Sequence, residues 1–356
     1  MGIINSLDIS CVCSNLDSLM SILEIAKSAN VSKSTVSRVI NNDPRVSGKA
    51  SRAVKEAMAR AGYRPSPNRP GPKPGSRRRK ASDPIALIRL GDGNASSIDE
   101  VMRALHAVSD EVGQRLIGTM MPNADQLPDI VAAGGVRGVL IRGHESLGPK
   151  ALAALRNLPV VWLMADPQIV PDGHDHVTHD DDAIGRMAAR YLIERGHEHV
   201  ACLNPGRTHP SFPTRELSFV TTIVRAGSVA HAIRTESGED IDPASPERFE
   251  VLVDKLLAIK PRVTGVFVVN DCYMVRYHNL LLARGIKPGT DLQLISCDND
   301  PAMLELVHPR PATIDRSLDV MAQRALAHLD WLAKHGRSVQ TTIQVGPRLV
   351  LPDGAN

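Results

Sequence analysis

Apolar positions recur at helical spacing three times in the first sixty residues, and then the pattern changes. Ile22, Ile25, Ala26 and Ala29 share one face of a helix that opens at Ser21-x-x-Glu24. That spacing is a capping box, in which the serine hydroxyl and the glutamate each satisfy a backbone N–H that a first turn leaves orphaned. The run ends at Asn30, a residue type that tolerates the left-handed conformation of a tight turn. Ser32 caps a second predicted helix, KSTVSRVI, which turns Val36, Val39 and Ile40 inward and leaves Lys33, Ser34, Ser37 and Arg38 outside. A third helix is predicted from about Gly48 to Ala61, with Ala53, Val54, Ala57 and Met58 apolar and Gly62 stopping it. Beyond residue 84, short apolar runs (IALIRL, VRGVLI, PVVWLM, HVACL, GVFVVN, LQLIS) alternate with helical stretches such as IDEVMRALHAVSDEVGQ and DDAIGRMAARYLIERG. Strands alternating with helices predict a parallel sheet covered on both faces, here built twice.

The predicted domains are therefore an all-α domain at 21–66, a linker at 67–83 and an α/β body at 84–356. Pro65, Pro67, Pro70, Pro72 and Pro74 rule out helix or central strand at the start of the linker. Residues 1–20 lack any Lys or Arg and read as an extension ahead of the capping box, with Met20 as the expected start.

Charge sharpens this division. Residues 21–80 hold 15 Lys/Arg against 3 Asp/Glu, a net of +12, whereas the rest of the chain carries −9. A basic module threaded with helical apolar spacing points to nucleic acid as its partner. No run approaches the roughly 18 apolar residues that span a bilayer, so no membrane partner is expected. Five cysteines without C-x-x-C spacing suggest neither a zinc site nor a disulfide framework, and a cytoplasmic protein is expected.

A helix that reads DNA must fit the major groove, show small and basic side chains near its N-terminus, and offer its first N–H groups to phosphates. LEIAKSANVSKSTVSRVIN supplies these features. It resembles the headpiece of the lactose-repressor (LacI/GalR) family of bacterial transcriptional regulators, matching at Glu24, Ile25, Ala26, Ala29, Val31, Ser32, Thr35, Val36, Ser37, Arg38, Val39 and Asn41. The resemblance implies that Lys33, Ser34 and Arg38 face bases and that Ser32, Thr35, Ser37 and Asn41 position phosphates. Family members usually follow this unit with a Leu-bearing hinge helix that wedges into the minor groove. Here prolines replace it, so Arg69, Lys73, Arg77, Arg78, Arg79 and Lys80 are expected to run along the DNA as an extended basic arm, with a flexible spacer of purely diffuse attraction as the alternative.

The same resemblance continues through VTHDDDAIG, RYLIERGHEHVACL, TREL-SF, VFVVND, LISCDN and PATIDR, with Ser218 standing where the family has a glycine. It implies a helix-turn-helix headpiece joined to a two-lobed, periplasmic-binding-protein-like effector domain. It also implies that Arg215, Asn270, Asp271 and Asp298 lie around an effector in the cleft. Asn270 and Asp298 end predicted strands, and ligands bind beyond the carboxyl ends of parallel strands. The expected partners are a pseudo-palindromic double-stranded operator, a sugar or related polar effector, and a second copy of the chain. Lobe 1 is expected at 84–195 and 317–338, and lobe 2 at 196–316 and 339–351.

Other chemistries are weaker. His174 to Asp182 (HDHVTHDDD) alternates His and Asp, a pattern that more often solvates or caps than holds a metal, and Asp180 is expected to cap a helix. The partial glycine pattern at Gly91, Gly93 and Ser96 leaves a dinucleotide enzyme as a distant alternative, and neither a catalytic residue nor a cofactor is expected. A regulator whose body only dimerises is the nearer alternative, since Met274 and Arg276 stand where the family often has small residues.

Overall fold

The computed structural model describes residues 22–40, 43, 45–60, 83–91, 95–121, 123–143, 145–205, 210–235 and 246–352. Two units divide the chain, residues 1–78 and 79–356.

In the first unit, helices α1 (Ile22–Ser28), α2 (Lys33–Ile40) and α3 (Gly48–Arg60) enclose a small core of Ile25, Ala26, Val36, Val39, Val54, Ala57 and Met58. Asn30 takes φ 51° in the turn between α1 and α2, and Val31 N–H then closes onto the Ala26 carbonyl at 3.0 Å. Asparagine occupies this left-handed position at low cost, so the turn survives without glycine.

The second unit holds two six-stranded sheets. Lobe 1 is built from β1 (Ile85–Leu90), α4 (Ala95–Glu111), β2 (Leu116–Met121), α5 (Asp129–Ala132), β3 (Gly138–Gly143), α6 (Pro149–Leu155), β4 (Val160–Leu163) and β5 (Asp175–His179). Lobe 2 follows with α7 (Asp181–Ile193), β6 (His199–Asn204), α8 (Ser211–Arg225), β7 (Val229–Arg234), α9 (Pro246–Ala258), β8 (Gly265–Val268), α10 (Asp271–Ala283), β9 (Gln293–Asp298), α11 (Pro301–Leu304) and β10 (Ala312–Asp315). The chain then returns through α12 (Leu318–His335) and β11 (Thr342–Val345) to lobe 1, and ends with β12 (Arg348–Val350) in lobe 2. Strand orders are β11-β5-β4-β3-β1-β2 and β12-β10-β9-β8-β6-β7, all parallel except the β10–β12 pair.

Two of the expected lobe boundaries are corrected. The first passage lies at Asp180, not near Arg195, because Ile184, Ala188, Ala189, Tyr191 and Leu192 of α7 bury themselves in the core of lobe 2. The second falls at Arg316 and Ser317. The last lies at Gly346 and Pro347, not near Ser338, because β11 pairs in parallel with β5 before the chain crosses. Lobe 1 packs two cores, one on each face of its sheet: α4 and α12 cover one face, α5 and α6 the other. Among the described residues, no helix is long and apolar enough to cross a membrane.

Candidate functional site

The headpiece presents a polar helix surface. Ser32 caps α2, its hydroxyl accepting from Thr35 N–H at 3.2 Å and lying 2.7 Å from the Ser34 hydroxyl. Val36 and Val39 are buried, which forces Lys33, Ser34, Ser37 and Arg38 outward on the exposed side, with Thr35 half-buried. Ser47 repeats the device for α3, accepting from Ala50 N–H at 3.3 Å. Asn41, Arg69, Lys73, Arg77, Arg78, Arg79 and Lys80 lie outside the described residues.

In the body, the carboxyl ends of both sheets converge on a line of buried charges. Arg215, in the second turn of α8, is 2% exposed. Its Nε donates to Asp181 Oδ1 at 2.8 Å and its Nη1 to the Val269 carbonyl at 2.7 Å. His179 Nε2 sits 3.2 Å from Arg215 Nη2 and 2.9 Å from Asp181 Oδ1. Burial lowers the His179 pKa, so the ring is neutral and can accept from Arg215 or donate to Asp181, not both. Burial alone would raise the Asp181 pKa, but His179 and Arg215 overcome it and hold the carboxyl well below the usual range.

Asp298 joins this group to the hinge. Its Oδ1 lies 3.6 Å from Arg215 Nη1 and 3.0 Å from Arg316 Nε, and Arg316 Nη2 donates to the Glu100 carboxylate of lobe 1. A ladder therefore runs Asp181, Arg215, Asp298, Arg316, from lobe 2 to the hinge, and Arg316 carries it into lobe 1 by its bond to the Glu100 carboxyl. Burial, and then Asp298, push the Glu100 carboxyl up to about 8 against the opposing pull of Arg316. Arg142 near the end of β3 is also buried, and burial and the Arg316 charge bring it down to about 10. The backbone is strained where the ladder crosses: Asp298 has φ 121° and Ser317 56°. Such values at non-glycine residues persist only where the surroundings impose them, and they cluster at ligand-handling sites. A pocket of about 280 Å³ opens beside the ladder, lined by Glu100, Arg103 and Leu318 of lobe 1 and by Asp298, Asn299 and Asp315 of lobe 2.

The four expected effector residues thus take different places. Arg215 and Asp298 meet in the ladder. Asn270 caps α10, its Oδ1 accepting from Tyr273 N–H at 2.9 Å, which leaves the amide nitrogen as its donor. Asp271 differs from expectation: it is fully buried, its oxygens accepting from Ser296, from Thr313 at 3.0 Å and from Asp300 N–H at 2.8 Å. It braces the loop that carries Asp298 and presents no surface to the cleft. Burial and Asp298 raise its carboxyl to about 7.

The His174–Asp182 segment is also corrected, since most of it is buried strand and not a solvated loop. His176 Nε2 accepts from Ala165 N–H at 3.1 Å, Asp175 Oδ2 lies 2.8 Å from His328 Nε2, and Asp180 caps α7 through Ala183 N–H at 2.8 Å. Sequence reasoning missed His179, Asp181, Arg316, Arg142 and Glu100. Only the buried His/Asp pattern and the polar Asp315-Arg316 ending of a strand could have signalled them.

Ser218, in the place of a family glycine, is tolerated because α7 offers Gly185 opposite: a Cβ there would lie 2.0 Å from Ser218 Oγ and 2.1 Å from the Arg215 carbonyl. The two helices approach closely, and this seats Arg215 against Asp181.

Comparison with known proteins agrees with this architecture. The model for bacterial regulatory proteins of the lacI family matches residues 21–66, and that for a periplasmic binding protein-like domain matches residues 189–351. The HTH-type transcriptional regulator DegA of Bacillus subtilis is 24% identical over 342 residues, covering 93% of this chain and 96% of the relative. The HTH-type transcriptional repressor PurR of Mannheimia succiniciproducens is likewise 24% identical over 342 residues, covering 94% and 98%. A crystal structure of the lac repressor dimer bound to operator and the anti-inducer ONPF superposes with a TM-score of 0.59 at 19% identity, covering 94% of this chain and 98% of that one.

Proposed function

Because the chain belongs to the lacI family of bacterial regulatory proteins, we propose that it acts in the cytoplasm as a homodimeric repressor that releases or grips its operator according to a polar small molecule held between its lobes. It is a DNA-binding transcriptional regulator and not an enzyme. The observation that carries the reading is the polar face of α2, where Lys33, Ser34, Ser37 and Arg38 project from a helix whose Val36 and Val39 hold it to the headpiece core. Lys33, Ser34 and Arg38 read base edges; Ser32, Thr35, Ser37 and Asn41 hold phosphates. One such helix covers a half-site, and a symmetric dimer reads two. Exposed Val112 and Met120 at the β2 side of lobe 1, and Leu282 and Leu306 in lobe 2, offer apolar surface for that dimer. The basic arm of Arg69, Lys73, Arg77, Arg78, Arg79 and Lys80 follows the DNA between headpiece and body.

The effector is a sugar or related polar metabolite, contacted by Asp298, Asn270 and Arg215. Selection of bound sequences from a random DNA pool tests the function: a pseudo-palindrome supports it, and enrichment of an unpaired half-site or of nothing overturns it.

One observation favours a second reading, a body that dimerises without ligand response. Arg215 is already engaged by Asp181, Val269 and His179 and lies in ion-pair range of Asp298, so an effector must displace part of the ladder. Thermal denaturation with a panel of sugars and sugar acids separates the two. A bound effector at 100 times its Kd stabilises the protein by about 2.7 kcal/mol, and no shift with any member favours the unresponsive body.

A further inference from the structure

Lobe 1 carries a second cavity, far from the cleft. It lies at the amino ends of β3 and β4, beneath the last turns of α12, whereas the ladder occupies the carboxyl ends of the strands. Its volume is about 690 Å³, within the range of roughly 300 to 1,000 Å³ that encloses small ligands. Four cations line it, Arg137, Arg156, Lys334 and Arg337, with Asp330 as the opposing carboxylate.

Arg137 is the fixed member. Its side chain is 14% exposed, its Nη1 donates to Asp330 and its Nη2 to Gln114 Oε1, and its buried Nε has no partner among the described residues. Arg156, Lys334 and Arg337 stand on the exposed rim. Arg337 is felt at a distance, adding to burial in holding the His174 ring down at about 4.

Helix ends explain part of this charge. Arg156 caps the carboxyl end of α6 and Lys334 lies in the last turn of α12, where a cation offsets the helix dipole. The offset is too small for the whole set. Two helix ends carry about one negative charge between them, so with Asp330 they leave about two of the four positive charges uncompensated. Arg137, moreover, belongs to neither helix. A guanidinium fixed by Asp330 and Gln114 at the cavity wall, ringed by three exposed cations, matches an anion with several oxygens.

We propose that this cavity is a second ligand site of the regulator, one that takes a small polyanion such as a phosphorylated or polycarboxylate metabolite, with Arg137 as its floor and Arg156, Lys334 and Arg337 closing over it. The site is independent of the cleft and does not rest on the effector reading.

The test uses the full-length protein and inorganic pyrophosphate, with potassium chloride added to matched ionic strength. At saturation near 100 times its Kd, pyrophosphate raises Tm by roughly 5 °C. The exposed rim double variant Arg156→Gln/Arg337→Gln loses the rise and binds at least about tenfold more weakly, as the removal of charge-assisted hydrogen bonds requires. Asp298→Asn keeps the rise. The proposal is overturned if matched chloride gives the same Tm, if the rim variant keeps the rise, or if Asp298→Asn abolishes it. It is also overturned if the rim variant binds pyrophosphate as before yet lowers the salt slope of operator binding, because the cations then serve DNA phosphates.

Discussion

Glu100 is the one carboxylate that lobe 1 contributes to the ladder, and Glu100→Gln isolates its effect. The side chain is 11% exposed and pairs with Arg316, itself 4% exposed. Burial nevertheless wins over the pairing and lifts the carboxyl from 4.5 to about 8. The sign follows from linkage. A group whose folded pKa is raised binds its proton more tightly in the native state, so its contribution is fully present below the unfolded pKa and fades as pH climbs through 8. Asp271 behaves alike, but its carboxyl is raised only to about 7, and the buried rings of His174 and His176 titrate near 4. Between pH 7 and 8 Glu100 therefore dominates. With a pKa near 8 it goes from about nine-tenths to half protonated across that unit, and at 1.36 kcal/mol per proton the wild type loses about 1 kcal/mol. Glutamine keeps the shape and an acceptor for Arg316 but cannot titrate. For a body of this size the difference amounts to about 2 °C in Tm, read by thermal denaturation of both proteins at pH 7.0, 7.5 and 8.0. Equal slopes in wild type and variant would show that the Glu100 proton is not held as the hinge geometry requires.

Three further outcomes are expected. Lys33→Ala, Ser34→Ala and Arg38→Ala change which operator is preferred, at about 1 to 3 kcal/mol for each good base pairing, measured by anisotropy on single-base variants; equal weakening on all DNA would remove α2 as the reading helix. Gly185→Ala pushes a methyl group toward Ser218 Oγ and the Arg215 carbonyl and costs about 1 to 3 kcal/mol in urea denaturation, with a neutral result refuting the close approach of α7 and α8. Neutralising Arg77, Arg78, Arg79 and Lys80 lowers the magnitude of the log–log salt slope of operator binding by about 0.9 for each DNA phosphate that the arm no longer neutralises, and an unchanged slope means the arm does not touch DNA.

Much of the architecture could be read directly because the physics was local. The headpiece helices follow from periodicity and capping within a few residues, and β1, β3, β4, β6, β8 and β9 are apolar runs that only a buried strand accommodates. β2, β5, β7, β10, β11 and β12 lie outside those runs, and the burial of β5 is settled elsewhere in the chain. β5 reads DHVTH, polar at every position but Val177, yet Asp175 is satisfied by His328 and by Thr341 N–H at 2.8 Å, and His176 by Ala165. β11 and β12 are three or four residues at sheet edges, too short to show a period. The cleft divides in the same way. Arg215 and Asp298 come from a recognisable resemblance, but their partners come from the hinge, from the first turn of α7 and from the far lobe, whose proximity exists only in the folded chain. Asp271 shows the converse: adjacent to Asn270 in sequence, it points into the core, because the first residue of α10 turns away from the residue that caps it.

The late strands bear on how the protein is made. β11 closes the edge of one sheet against β5, and β12 closes the other against β10, so residues 342–350 complete both lobes. Until the ribosome has released them, β5 and β10 each present a row of unpaired backbone groups, the surface on which strands from different chains pair. A message cut short just before residue 342 would yield headpieces joined to bodies with two open edges, capable of touching DNA and prone to aggregate there. Such a product would interfere with the intact regulator rather than merely be missing, and termination just before codon 342 is expected to be more harmful than deletion of the gene.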